Sequence, residues 1–342
     1  VIAAQLQRPG DLPGTFVAPL KRTVVASGGA KQFPQRLDFG GGYAAMFFAD
    51  GTDHYDGRCS YCLTYDNGRT WGEVQEVAPS LHPGKGIRHF SVGFNAANGT
   101  VAAYLRVEEP TPQNQDIASY YTVCAAANLQ IGQWLPPMQY DVPGFRMRGT
   151  MYRTSLGMAC THYFNGGFKL LYLNEDFSPS PVEGGFEDTN QPDMPLPGEM
   201  RVLRIDGERL VAIVRNNQET TPRYGFHTSA DAGMSWTPRG AWIGGTPVDA
   251  TNQSAAVCHD GQVWFAWPIR RDVGAIKYKR CNAEDFFADP VGALYDAPTA
   301  TPVSDLAGWT YDKGHPNLVA GLGGRIDLSW YQEHLVETMS IQ

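Results

Sequence analysis

The chain has 342 residues, of which 42% are hydrophobic and only 18% charged, with a formal net charge of −8. No Lys/Arg-rich run is present, which argues against a nucleic-acid partner, and no apolar stretch approaches the length of a membrane-spanning helix. With 38 Gly and 24 Pro the chain needs many turns, yet no linker or low-complexity segment divides it, so residues 1–342 are expected to form one domain.

In chain order, the opening stretch VIAAQLQRPGDLPG lacks the basic and apolar regions of a signal peptide. TFVAPLKRTVVAS (15–27) is the first strand-like run. Further apolar, β-branched and aromatic runs follow, each opening near a Gly: GYAAMFFADG (42–51), NGTVAAYLRV (98–107), TSLGMACTHYF (154–164), GERLVAIVR (207–215), GQVWFAWPI (261–269) and GRIDLSWYQ (324–332). Long helical periodicity is absent. The runs recur at a period of about 55 residues, which marks a repeated supersecondary unit. Each period holds four strands, so the sequence predicts four-stranded blades over 31–80, 86–143, 146–187, 198–245 and 250–297. Only PNLVA, GRIDLSWY and ETMSIQ remain near the C-terminus. A fourth strand is available at the other end of the chain. Blade six is therefore expected from 310–342 plus about 12–28. The prediction is an all-β, six-bladed β-propeller whose last blade is closed by the N-terminal strand, which removes the sheet edges at the seam.

Two octapeptides sharpen this. Thr64-Tyr65-Asp66-Asn67-Gly68-Arg69-Thr70-Trp71 and Ser229-Ala230-Asp231-Ala232-Gly233-Met234-Ser235-Trp236 share the pattern Ser/Thr-x-Asp-x-Gly-x-Thr/Ser-Trp. Asp66 and Asp231 are 165 residues apart, three periods of the repeat. Such a turn needs Asp to cap backbone N–H groups, Gly at positive φ and Trp packed beneath. Degenerate copies are expected at QIGQW (130–134) and CNAEDFF (281–287). The pattern resembles the Asp-box, or BNR repeat, of the sialidase (neuraminidase) superfamily. The boxes concern the scaffold and not the chemistry.

The resemblance implies a site at the mouth of the central channel, with three arginines on a substrate carboxylate, a Tyr–Glu nucleophile pair and an Asp acid/base. QFPQRLDF (32–39) stands where the family has its first arginine, giving Arg36. GTDHYDGRC (51–59) offers Asp53 and Asp56 for the acid. GEMRVLRIDGERLVAIVRNN (198–217) supplies Glu199 and Arg215, and NQSAAVCHDGQVWFAWPIRR (252–271) supplies Arg270 or Arg271. The departure is in blade six, where His315 in Gly314-His315-Pro316-Asn317-Leu318 occupies the place of the family's tyrosine and Tyr311 lies four residues earlier. That loss puts a covalent tyrosine mechanism in doubt. Arg88-His89 and Arg146/Arg148 lie on candidate channel-facing strands and add basic groups. Arginines gathered in an acidic chain suit an anionic ligand.

No GxSxG elbow, P-loop, HExxH or Rossmann fingerprint appears. Of the six cysteines only Cys59 and Cys62 have CxxC spacing, with no second pair to complete a zinc site, and all six sit in apolar runs as expected of buried free thiols. No metal or cofactor is expected. The expected partner is an acidic oligo- or polysaccharide containing sialic or uronic acid, cut by a glycoside hydrolase-like enzyme. The alternative is a non-catalytic glycan- or receptor-binding module, such as a phage tail (tailspike) protein or an adhesin, joined to other subunits of a surface or virion assembly. Either would work outside the cell, at a cell surface or on a virion.

Overall fold

The computed structural model describes residues 23–52, 56–81, 84–109, 116–140, 146–164, 167–187, 200–215, 224–242, 253–269, 275–303, 313–320, 325–332 and 335–341. The strands form six small sheets arranged as a six-bladed β-propeller. Blade I runs β2 (Ala30–Gly40), β3 (Tyr43–Gly51), β4 (Arg58–Thr64) and β5 (Gln75–Glu76). Blade II runs β6 (Gly86–Asn95), β7 (Thr100–Glu108), β8 (Asp116–Ala125) and β9 (Met138–Tyr140). In blade III the inner strand is split into β10 (Arg146–Thr150) and β11 (Tyr152–Thr154). Both pair with β12 (Gly157–Phe164), followed by β13 (Gly167–Leu173) and β14 (Pro179–Glu187). Blade IV comprises β15 (Met200–Arg204), β16 (Leu210–Arg215), β17 (Tyr224–Ser229) and β18 (Thr237–Trp242). Blade V comprises β19 (Ala255–His259), β20 (Gln262–Ile269), β21 (Ala275–Asn282) and β22 (Thr299–Val303). Blade VI has β23 (Lys313–Ala320), β24 (Ile326–Gln332) and β25 (Leu335–Ile341), with β1 (Thr23–Ser27) from the other end of the chain as its outer strand. The strand that closes the ring is thus the N-terminal one anticipated from the strand count.

The second strands of blades I, II, IV and V are near-continuous apolar runs because both of their faces are buried. In β16, Val211 and Ile213 join the cluster shared with blade V, while Leu210, Ala212 and Val214 join the one shared with blade III. In β20, Val263, Phe265 and Trp267 face blade IV, while Trp264 and Ala266 face blade VI. Six hydrophobic clusters among the described residues occupy the six junctions between neighbouring blades. At the seam, Val25 and Ala26 of β1 pack with Met46, Phe48 and Cys62 of blade I. Inner strands meet around the axis, and β6 and β10 pair in parallel, Phe90 opposite Arg148 and Val92 opposite Thr150.

Both octapeptides close the turn between third and fourth strands in the same way. Asp66 Oδ1 accepts from the Thr70 backbone N–H (2.9 Å) and its Oδ2 from the Thr70 hydroxyl (2.6 Å), while Gly68 N–H donates to Thr64 Oγ1 (2.9 Å). Asp231 repeats this with Ser235 at 2.9 and 2.5 Å, and Gly233 N–H donates to Ser229 Oγ at 2.8 Å. Gly68 and Gly233 have φ of 87° and 99°. Burial raises the Asp66 carboxyl, but the hydrogen bonds from Thr70 and Thr64 outweigh it and bring it down to about 2.

The corresponding connections of blades II and V differ. Residues 126–131 form a 3₁₀ turn ending on Gly132 at φ 62°. The CNAEDFF stretch opens a helix, α1 (Ala283–Ala288), capped by Asn282, whose side chain accepts from Glu284 N–H at 2.8 Å. A second helix, α2 (Pro290–Asp296), follows and carries the outer strand of blade V past the expected limit at 297. Neither stretch has the Asp–Thr/Ser pairing that folds the octapeptides; Asn282 capping replaces it in blade V, and in blade II the left-handed Gly132 ends the turn. All six cysteines are free thiols, four buried and two half-buried.

Candidate functional site

Antiparallel pairing brings the start of each inner strand to the end of its second strand, so one end of the ring carries both. The register shows it: Gly86 faces Glu108, Met200 faces Val214, Arg146 faces Tyr163 and Lys313 faces Gln332. The octapeptide turns lie at the opposite end. The sequence candidates that fall on described strands are therefore sorted by topology.

Arg215 is the last residue of β16 and half-buried, opposite Tyr224. Arg270 and Arg271 follow the end of β20 and lie outside the described residues, as do Asp53, Glu199 and Tyr311. Arg88 lies near the start of β6, Arg148 in β10 and His315 near the start of β23; their strand positions put all three at the Arg215 end. Asp56 is at this end too, in the loop between β3 and β4. Its Oδ1 accepts from Thr52 N–H (2.8 Å) and its Oδ2 from the Thr52 hydroxyl (2.5 Å), so it shapes the loop. A cleft of about 390 Å³ opens beside it, lined by Asp50, Asp56, Arg58, Glu76 and Lys85.

Arg36 is placed elsewhere. Its side chain is wholly buried at the octapeptide end, 3.0 Å from Asp327 of β24 and against the Trp71 ring. Asp327 also takes Arg325 at 2.7 Å, and Asn317 Oδ1 accepts from the Arg36 backbone N–H at 3.1 Å. Burial pulls the guanidinium below its ordinary value against the opposing pull of Asp327 and Asp38, but arginine stays charged. The motif that suggested Arg36 was a poor copy of the family's, and here the residue ties blade I to blade VI instead of facing a ligand.

Three charged groups at the Arg215 end were not singled out together by their sequence. His89 Nδ1 is hydrogen-bonded to Glu108 Oε1, and Arg106 Nη1 lies 3.2 Å from the same oxygen. All three residues are buried, at 1%, 0% and 4% exposure for His89, Glu108 and Arg106. The signal lay in the run YLRVE, where two charges at i and i+2 interrupt a strand apolar on both faces. In blade III, burial lowers His162 to about 3, so it brings no charge to this end.

Toward the axis, Thr150, Tyr152, Arg201 and Asn317 help to line a cavity of about 30 Å³, room for a water or two. Among the described residues no three His, Cys, Asp or Glu side chains gather as metal ligands. No described helix is long and apolar enough to cross a membrane.

No protein-family model matches the chain, and no curated protein matches it in sequence. Solved structures do match it in fold. The NanB sialidase of Streptococcus pneumoniae superposes with a TM-score of 0.66 at 11% identity, over 95% of this chain and 71% of that one. The leech intramolecular trans-sialidase gives 0.63 at 9% identity, over 96% and 70%. The GH93 α-L-arabinofuranosidase of Fusarium graminearum gives 0.60 at 8% identity, over 95% and 98%. Identities this low speak for fold alone, and the fold they share with this chain is the sialidase-like six-bladed β-propeller.

Proposed function

We propose that the chain is a carbohydrate-active propeller that binds an acidic glycan at the Arg215 end and cleaves it as a glycoside hydrolase. The observation that carries this reading is that strand topology puts Arg215 and the inner-strand positions of Arg88 and Arg148 at one end of the ring. Guanidinium groups suit a sugar carboxylate because they donate two parallel hydrogen bonds to it. The structural neighbours, among them sialidases and an arabinofuranosidase, support a glycan as the ligand. The clamp is assigned to Arg215 with Arg270 or Arg271, and Arg36 takes no part. Asp53 remains the loop candidate for the acid, since both Asp56 oxygens are engaged within the loop. Glu199, His315 and Tyr311 would complete the base side.

Titration with sialylated, uronic-acid and neutral oligosaccharides tests the reading. Binding should be confined to the acidic ones, and Arg215→Ala should weaken it roughly 10- to 150-fold, the worth of one charge-assisted hydrogen-bond pair. Equal binding of neutral and acidic glycans, or an Arg215→Ala variant that binds as well as its parent, would sink it. A second reading is favoured by one observation, the absence of tyrosine where His315 stands. In it the same clamp holds an acidic glycan without cutting it, as a receptor-binding module of a virion or cell surface would. Binding without release of reducing ends decides for this reading.

A further inference from the structure

The cleft beside the loop between β3 and β4 lies outside the arginine positions assigned above. It holds about 390 Å³, within the roughly 300–1,000 Å³ of pockets that take small molecules. Its walls come from two blades. Asp50 of β3, Arg58 of β4 and Glu76 of β5 stand on three consecutive strands of blade I, and Lys85 leads into the inner strand β6 of blade II. Neighbouring strands lie about 4.8 Å apart, so the blade I wall crosses about 10 Å of sheet. Lys85 stands three residues before Arg88, about 10 Å along an extended chain. The cleft thus spans from the approach to an inner strand, near Arg88, to the outer strand of blade I.

Its lining is charged but matched. Asp50 and Arg58 are direct partners in the β3–β4 ladder, and Arg58 Nη1 lies 2.7 Å from Glu76 Oε1. Carboxylate, guanidinium and carboxylate therefore follow in a row across the blade. Lys85 Nζ lies 2.5 Å from Glu109 Oε1, and Asp50 is paired with Lys31. The side chains of Arg58, Glu76, Lys85 and Glu109 are about a third to a half exposed. Exposed ion pairs contribute little to stability, so these groups can turn to a ligand at low cost.

The charge balance says which ligand. Three carboxylates, Asp50, Asp56 and Glu76, line the cleft with two cations, Arg58 and Lys85. The outside partners Lys31 and Glu109 cancel, which leaves one net negative charge. Such a wall disfavours a second sugar carboxylate. It is matched to hydroxyl groups, each of which donates one hydrogen bond and accepts two, so neighbouring hydroxyls can meet carboxylate and cation in turn. Among the described residues no aromatic ring lines the cleft, and its carboxylates do not gather as metal ligands. Recognition there rests on hydrogen bonds.

We propose that this cleft is a sugar subsite that takes a neutral, hydroxyl-rich unit of the glycan whose acidic sugar is held at the arginine end, an assignment that rests on the glycan reading above but not on cleavage. The ligand is then an oligosaccharide of mixed character, in place of a single acidic sugar or an acidic homopolymer.

Titration calorimetry with thio-linked ligands tests this, because binding is then read whether or not the protein cuts. Sialic acid and glucuronic acid are each presented as the methyl glycoside, as the glycoside of lactose and as the dimer of the acid with itself. The parent should bind the lactose glycoside at least ~10-fold more tightly than the methyl glycoside, the worth of one charge-assisted hydrogen bond. It should bind the dimer no more tightly than the methyl glycoside. Arg58→Ala and Lys85→Ala should each bring the lactose glycoside to within ~3-fold of the methyl glycoside. Both side chains are partly exposed, so both variants should melt as the parent does; if one does not fold, the other carries the test. Equal affinity of the parent for lactose and methyl glycosides overturns the subsite, and a dimer as tight as the lactose glycoside overturns its neutral character. Variants that keep the full lactose advantage overturn the cleft as its place. A parent that binds none of the acidic ligands overturns instead the function proposed above.

Discussion

At the scale of single residues, the arginines separate into two kinds that sequence alone treats alike. Arg215 sits half-buried at a strand end, whereas Arg36 is buried against Asp327 and Trp71. Removing Arg36 leaves Asp327 paired with Arg325, so what is lost is the charge-assisted contact of the buried guanidinium, worth about 1.5–3 kcal/mol. Arg36→Ala should therefore lower unfolding free energy by about that amount in a urea titration, while variants kept folded at low temperature bind acidic glycan as the parent does. Loss of glycan affinity without loss of stability would return Arg36 to the ligand site. The distinction was not legible in the sequence because a strand arginine shows no sign of which end of the blade its side chain serves. Asp327 lies 291 residues further along the chain than Arg36, and only ring closure makes them neighbours.

At the scale of elements, the strand runs and their order were legible, because a strand buried on both faces must be apolar throughout and its turns must carry Gly, Asn or Asp. The octapeptide turns were legible in outline, with Asp capping backbone N–H groups and Gly at positive φ, while the bonds made by the Thr and Ser hydroxyls were not. Gly233 shows why the pattern is strict. It has φ 99°, and a Cβ there would meet Leu170 Cδ1 at 2.4 Å and Tyr172 Oη at 3.1 Å. Gly233→Ala combines a left-handed backbone with overpacking across the junction to blade III, and should cost roughly 2–4 kcal/mol. Its melting temperature should fall, and an unchanged one would mean that blade III yields at no cost. The helices α1 and α2 were not legible. CNAEDFF has the length and the place of a turn, and its helix rests on Asn282 capping and on Phe286 packing into the junction of blades IV and V.

For the whole molecule, the seam is the decisive feature. β1 pairs with β25 from Thr23 opposite Thr338 to Ser27 opposite Leu335, and it covers Met46 and Phe48 of blade I. A chain beginning at residue 30 should melt lower and aggregate with rising concentration, because β25 becomes an open edge beside uncovered apolar surface. A monomer of unchanged melting temperature would show that blade VI needs only three strands. The period of about 55 residues, the strand alternation and the two octapeptides determined by themselves that the chain is a propeller of six blades closed by its N-terminal strand, since these are local consequences of burial and turn chemistry. Which charges share a surface was decided only by the tertiary structure. Antiparallel register sends strand starts and strand ends to one end of the ring, and so places Arg215 with the His89–Glu108–Arg106 cluster and Arg36 away from both.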